Sequence, residues 1–230
     1  MARIAWWLSG VFLAMHPIEI VGGGLAGLAL GGALARRGVP VTIFEAQAYP
    51  RHRVCGEFIC GLREGVVRAL ELDAVLHDAR LHRRMGWHWR ERRMRDDVLP
   101  VPARGLSRHT LDQRLADSFV HAGGTLAVRT RVKTDELRPA RVWASGRRAA
   151  RRTDWLGLKV HCRTLRPAAD LEFHLAPGAY VGVAAVENET VNVCGLFRRR
   201  THIQAETGAI LPAYLRACGL TDLANRVEAT

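Results

Sequence analysis

Between residues 18 and 45 the spacing of apolar positions changes twice. Ile18-Glu19-Ile20-Val21 is a short β-rich run that ends in three glycines. Leu25 to Arg37 follows as a helix of small and aliphatic residues, closed by Gly38 at its C-terminal cap. Val39-Pro40-Val41-Thr42-Ile43-Phe44-Glu45 returns to a strand. Strand, glycine turn, helix and strand within about thirty residues make a βαβ unit. Beyond it, Pro50 to Gly61 is a loop, and Val66, Val67, Leu70 and Val75 give residues 64–76 helical spacing. Alternating Trp87 and Trp89 mark a β-excursion over 85–101, and Ser107 caps a helix running through Phe119. Gly123-Gly124 and Leu126-Ala127-Val128 add a further strand, followed by Val132.

After Arg138 the pattern turns to alternation. Trp155 to Cys162, Leu171 to Leu175, Tyr180 to Val186 and Thr190 to Phe197 read as strands, with turns at Pro177-Gly178 and Glu187-Asn188-Glu189. Ala205 to Leu220 reads as one or two closing helices. The expected fold class is therefore α/β: a Rossmann-like βαβ domain over 16–153, an antiparallel sheet over 154–200 and a helical segment over 201–230. Ile4 to Met15 is apolar behind Arg3, as in a short secretory signal, but His16, Pro17 and Glu19 interrupt it before membrane length. Met15 stands just before the first strand, so residues 1–15 are read as an upstream extension, with a signal or anchor as the alternative.

Composition adds one departure from the ordinary. Apolar residues make up 48% and charged residues 24%, as in a globular protein, but the net charge is +12. All but two of the 34 basic residues are arginine, the exceptions being Lys133 and Lys159. The arginines are scattered, with groups at Arg83-Arg84, Arg90 to Arg95, Arg147 to Arg152 and Arg198 to Arg200, and no groove-reading motif accompanies them. No nucleic-acid partner is expected; anionic cofactors or a membrane surface suit the charge better. Cys55, Cys60, Cys162, Cys194 and Cys218 form no C-x-x-C pair and no disulfide scaffold, which points to reduced thiols in the cytoplasm. No C-x-x-C pair joined to a histidine pair marks a zinc site, and no metal is expected.

The glycine turn carries the first chemistry. Gly22, Gly24 and Gly27 form G-x-G-x-x-G, in which the first glycine permits the turn, the second lets backbone approach a pyrophosphate, and the third allows close helix–strand packing. The helix N-terminus offers free N–H groups and partial positive charge to phosphates. Glu45 follows Gly27 by eighteen residues, where a carboxylate accepts hydrogen bonds from both ribose hydroxyls and repels a 2′-phosphate.

The segment Pro50-Arg51-His52-Arg53-Val54-Cys55-Gly56-Glu57 resembles the proline, basic and Cys-Gly motif of the geranylgeranyl reductase family, a branch of the p-hydroxybenzoate hydroxylase-like flavoproteins. Leu106-Ser107-Arg108 with Leu111-Asp112, Trp143-Ala144-Ser145-Gly146-Arg147, and Tyr180-Val181-Gly182 leading to Val191-Asn192-Val193-Cys194-Gly195 extend the resemblance over roughly residues 16 to 200, in the family's order. It implies FAD as cofactor, with NAD(P)H as the candidate electron donor. Ala26 and the surrounding glycines are implied to contact the pyrophosphate, Glu45 the adenosine ribose, and Arg108 the phosphates, with backbone around Val132 bordering the adenine. Cys55 and Gly56 are implied to lie near the flavin with Glu57 beside them, Cys55 being the candidate catalytic residue as proton donor or flavin contact.

The implied reaction is hydride transfer to an alkene of a small apolar or lipid-like substrate, such as a polyprenyl chain. An aromatic monooxygenase is the alternative. Gly86-Trp87-His88-Trp89 superficially resembles a halogenase motif, but Arg90-Glu91-Arg92 follows it and the required lysine has no counterpart. Two departures stand out. Ser145 occupies a position that is usually acidic, and the family's later Gly-Asp segment is not found, Asp222 being the one later aspartate. The resemblance thus implies a C-terminally shortened chain, and with it a third reading as an FAD-binding module without turnover.

Overall fold

A computed structural model describes residues 17–133, 138–147 and 153–230. The expected extension at 1–15 and part of the Arg147 to Arg152 group lie outside them. The βαβ unit comprises β1 (Ile18–Val21), α1 (Leu25–Ala35) and β2 (Val41–Phe44). It is continued by α3 (Arg108–His121), β6 (Thr125–Ala127) and β7 (Arg141–Trp143). These strands make a four-stranded parallel sheet in the order β6-β2-β1-β7. Ile20, Ile43, Leu28, Leu115 and Phe119 form its core against α1 and α3. The Ser107 side chain caps α3 by accepting from the Thr110 N–H.

The second sheet has seven strands. It takes β3 (Phe58–Ile59), β4 (Arg80–Trp89) and β5 (Arg92–Gly105) from within the nucleotide-binding half, and β8 (Trp155–Cys162), β9 (Leu171–Ala176), β10 (Ala179–Ala185) and β11 (Val191–Arg198) from the later half. The order is β3-β5-β4-β9-β10-β11-β8, antiparallel except where β4 runs parallel to β9. The 85–101 excursion is thus a longer hairpin and an integral part of this sheet. The sheet's sequence is discontinuous, which a linear division at 153/154 does not convey.

Strand alternation gives the second sheet two different faces. Val181, Val183, Val193, Phe197 and Leu158 pack against α4 (Ile210–Ala217) and α5 (Thr221–Glu228), through Leu211, Leu215, Leu223 and Val227. The opposite face carries a row set by register: Trp87, Phe173, Gly182, Cys194 and Lys159 on β4, β9, β10, β11 and β8. Phe58, Trp87, Phe173 and Tyr180 form a chain of ring contacts there, with centroids 4.8–6.0 Å apart.

Two expectations are corrected. The helix expected over 64–76 is only α2 (Glu64–Ala69). Glu71 takes φ +51°, and the Leu72 N–H donates to the Val67 carbonyl, a left-handed cap that ends the helix while Val75 and Leu76 stay buried. The closing helices start at Ile210 and run on to Glu228, because Gly219 at φ +75° turns the chain and the apolar face of α5 completes the core under β8 to β11.

Candidate functional site

The cleft at the carboxyl ends of the parallel strands is built from the glycine turn outward. Strand order reverses about β1, with β2 on one side and β7 on the other, and ligands of open α/β sheets lie at such a switch point. Val21, Gly22, Phe44, Glu45, Gln47, Arg53, Thr130, Arg131, Val132, Trp143 and Ser145 line a cleft of about 260 Å³ there. Its walls are fixed by backbone bonds from Ala144 N–H to Val21 O and from Thr130 N–H to Glu45 O, both 2.8 Å.

The three glycines differ in what surrounds them. Gly22 has φ +112°, and a Cβ there would lie 2.5 Å from the Ala144 carbonyl oxygen. A Cβ on Gly27 would lie 1.9 Å from the Gly22 carbonyl oxygen, whereas one on Gly24 would meet nothing within 4 Å. Gly24 is the N-cap of α1, with no side-chain cap and no acidic residue in the first turn. The helix N-terminus therefore presents unspent N–H donors beside open space, which fits a pyrophosphate. Ala26 is exposed on the same first turn, and Gly27 is buried as a packing position.

Glu45 is placed at the cleft but is already engaged. Its carboxylate accepts from Gly23 N–H at 2.8 Å, Gln47 N–H at 2.9 Å and Arg51 Nη2 at 3.0 Å, and Arg51 Nη1 stands 2.6 Å away. Arg51 also donates to the Gly23 carbonyl at 3.1 Å, and the Tyr49 hydroxyl donates to the same oxygen. In this arrangement Glu45 and Arg51 brace the glycine turn, and a ribose would have to share the carboxylate with them. Burial by itself would raise the Glu45 pKa, but the Arg51, Gln47 and Gly23 donors bring it below the ordinary carboxylate value.

Cys55, Gly56, Glu57 and Arg108 form a second group, between the two sheets. Arg108 binds Asp112 through Nε at 2.7 Å and Nη2 at 2.9 Å, on the fully buried side of α3, and Arg51 Nε lies 3.8 Å from the same carboxylate. Arg108 does not line the adenosine-sized cleft. Glu57, buried at φ +60°, accepts from the Arg108 N–H at 2.8 Å, pairs with Lys159 and meets His161 Nε2 at 2.5 Å. Asn192 Nδ2 donates to the Cys55 carbonyl at 2.9 Å, and the Glu57 N–H approaches the Cys55 sulfur at 3.5 Å. The Cys55 loop is thus clamped to α3, β8 and β11 at the polar end of the aromatic face. Lys159 and His161 went unnoticed in the sequence because they alternate on a strand 100 residues away, and only cross-sheet packing brings them to Glu57.

Burial alone would raise the Glu57 pKa, but His161, Lys159 and the Arg108 N–H lower it overall. A carboxyl whose folded pKa is depressed contributes stability above its unfolded value that is lost as pH falls through the folded pKa. Glu57 and Glu45 both act in this sense, so the urea midpoint is expected to hold near neutrality and fall steadily below pH 4.5, the ordinary carboxyl value. A midpoint unchanged between pH 6 and pH 3 would contradict that assignment.

The NAD(P)-binding Rossmann-like domain family matches residues 20–54, the segment that holds the glycine turn, Glu45 and Arg51. No curated protein matches the chain in sequence. Among solved structures it is similar to a flavoprotein/dehydrogenase from Cytophaga hutchinsonii (TM-score 0.72, 14% identity, 92% of this chain and 63% of that one). It is also similar to the myxobacterial chondrochloren halogenase CndH, a variant of the FAD-dependent halogenases (0.70, 17%, 94% and 60%). A third is p-nitrophenol 4-monooxygenase PnpA from Pseudomonas putida (0.65, 14%, 88% and 63%). The fold is that of FAD-dependent flavoproteins. The chain spans less than two thirds of the length of these three structures.

Proposed function

We propose that the chain is an FAD-dependent oxidoreductase of the reductase type, acting on an alkene of an apolar, polyprenyl-like substrate with NAD(P)H as electron donor. The observation that carries this reading is the position of the aromatic face. Trp87, Phe173 and Tyr180 lead across the second sheet to Cys194 and Lys159, beside the clamped Cys55-Gly56-Glu57 loop. Such a face offers apolar carbon a surface that excludes water, with the Trp87 indole N–H already bonded to Asp97 at 2.8 Å.

Gly22, Gly24, the first turn of α1 with Ala26, Glu45 and Val132 would hold the adenosine diphosphate portion, Arg108 would approach the phosphates from α3, and Cys55 with Gly56 would face the flavin. Bound FAD supplies the hydride chemistry, and the protein supplies position and electrostatics. Cys55 would be the residue that relays a proton there, and Glu57 with Lys159 and His161 fixes the backbone from which it projects.

A second reading, an aromatic monooxygenase, is favoured by the halogenase and monooxygenase among the similar folds and by the stacked rings, which also suit a planar substrate. A third, a nucleotide-binding module without turnover, needs only the glycine turn, α1 and Glu45 within residues 20–54. Among the described residues no helix is long and apolar enough to cross a membrane. We place the chain in the cytoplasm, where its basic charge permits peripheral contact with anionic lipid.

The test is direct. The purified full chain is expected to take up added FAD, gain flavin absorption in the visible and be bleached by NAD(P)H without oxygen. A colourless protein that takes up no FAD would sink every flavoenzyme reading at once. Oxygen-dependent reoxidation coupled to product hydroxylation would select the monooxygenase, and FAD uptake without reduction would select the module.

A further inference from the structure

On the helix-packed face of the second sheet, away from the aromatic face, lies a cluster the proposed reaction does not use. Glu172 and His174 stand two residues apart on β9, so both point to the same face, and His88 on β4 is the register partner of His174. The two imidazoles stack with centroids 4.3 Å apart and planes 23° from parallel. Ligand atoms of His88, Glu172 and His174 all fall within 4.8 Å of one another. His88 Nε2 is sealed from solvent and meets no hydrogen-bond partner, an arrangement that is costly for a buried imidazole nitrogen.

We propose that His88, Glu172 and His174 form a binding site for a divalent transition metal, zinc being the ion the ligand set suits. Two histidines and one carboxylate are the donors of open zinc sites, in which three protein ligands leave a fourth position to solvent or a small ligand. The shortest link already resembles a metal bridge with a proton in the metal's place: His174 Nε2 lies 2.8 Å from Glu172 Oε2. A tetrahedral zinc with bonds of about 2.0–2.1 Å needs roughly 3.3 Å between two of its donors, so this pair has to open by about half an ångström, the widest pair has to close, and the stacked rings have to turn until their in-plane lone pairs meet at one ion. Binding moves the His174 proton off Nε2, to Nδ1 or to solvent, and gives the His88 lone pair a partner.

The surroundings are arranged to orient the carboxylate. Arg226 on α5 holds Glu172 with two bonds of 2.9 Å, and the Ala168 N–H donates to Oε1 at 2.5 Å, leaving the carboxylate fixed as the outer partners of metal ligands usually leave it. His88 and His174 border a cleft of about 220 Å³, shared with Arg90, Glu91, Asp222 and Arg226, by which an ion can enter. Occupied, the site ties β4 and β9 together beneath α5. It shares no residue with the nucleotide cleft or the Cys55 loop, and its fate is independent of the flavin reading.

The test uses the full chain freed of metal by chelation and then titrated with zinc alone. One equivalent is expected to bind at about micromolar Kd or tighter, and H88Q and H174Q are each expected to weaken it by roughly 100-fold. Cobalt in place of zinc guards against variants that fail to fold. The unaltered chain should develop the visible absorption of tetrahedral cobalt without the intense near-ultraviolet band of thiolate ligation. No binding at tens of micromolar zinc, a thiolate band, or undiminished binding by a folded H88Q/H174Q double variant would each overturn the proposal.

Discussion

Gly27→Val is expected to unfold or severely loosen the nucleotide-binding half and to abolish FAD uptake. A Cβ at this position would sit 1.9 Å from the Gly22 carbonyl oxygen and 3.1 Å from its carbon. Both atoms belong to backbone, so no side-chain rotation relieves the clash; either α1 must lift from β1 or the glycine turn must open. Overpacking in a well-packed core costs about 1–3 kcal/mol when side chains can give way, and this contact lies at or beyond the upper end. Gly24→Ala is the informative companion. Its Cβ would meet no protein atom, and Gly24 already has φ −87°, so stability should change little. FAD affinity should nevertheless fall, by roughly 100-fold or about 2.7 kcal/mol, because the added methyl would stand where the proposed site receives the pyrophosphate. Thermal unfolding and flavin titration of the two variants separate packing from ligand contact. A Gly24→Ala chain that binds FAD as tightly as its parent would move the pyrophosphate elsewhere.

Glu57→Ala is expected to have the other large effect. The carboxylate is buried and serves three donors at once: the Arg108 N–H, Lys159 and His161. Removing it leaves the Lys159 ammonium, whose side chain is 8% exposed, without its counter-charge. Breaking a buried pair from one side typically costs about 3–5 kcal/mol, because the remaining charge is then unsolvated and uncompensated. The same reasoning makes the second substitution diagnostic. Glu57→Ala with Lys159→Met takes away both charges, and most of the lost stability should return. A double variant no more stable than Glu57→Ala would show that the loop, not the ion pair, bears the load. FAD affinity should fall in Glu57→Ala, since Glu57 anchors the Cys55-Gly56 backbone to α3 and β8, and flavin titration beside chemical denaturation reports both effects.

Much of the nucleotide cleft was legible because its determinants are local. The strand, the glycine turn and α1 lie within eighteen residues of each other, and the spacing of Gly22 and Gly27 encodes steric demands that the fold meets at both. Glu45 was placed at the cleft by its position at the end of β2 for the same reason. Its engagement was not legible. That Arg51 and Gly23 take up its lone pairs depends on a loop path after β2 that no periodicity describes. The four later strands were likewise readable from alternation, because their two faces meet different surroundings. The end of α2 at Ala69 was missed because the apolar spacing continues through Val75; a left-handed turn keeps those residues buried without a helix.

By itself, then, the amino-acid sequence determined the βαβ unit, the glycine turn, the acid at the end of β2 and the alternation of β8 to β11. Each follows from steric and hydrophobic rules acting over a few neighbours. Only the tertiary structure decided that the 80–105 hairpin joins those strands in one sheet, that Glu57 meets Lys159 and His161, and that His88 stacks on His174. These pairings join residues some 86 to 104 positions apart. Their partners are selected by strand register and by the burial of whole faces, and charge or aromaticity at one position carries no record of which distant strand will lie beside it.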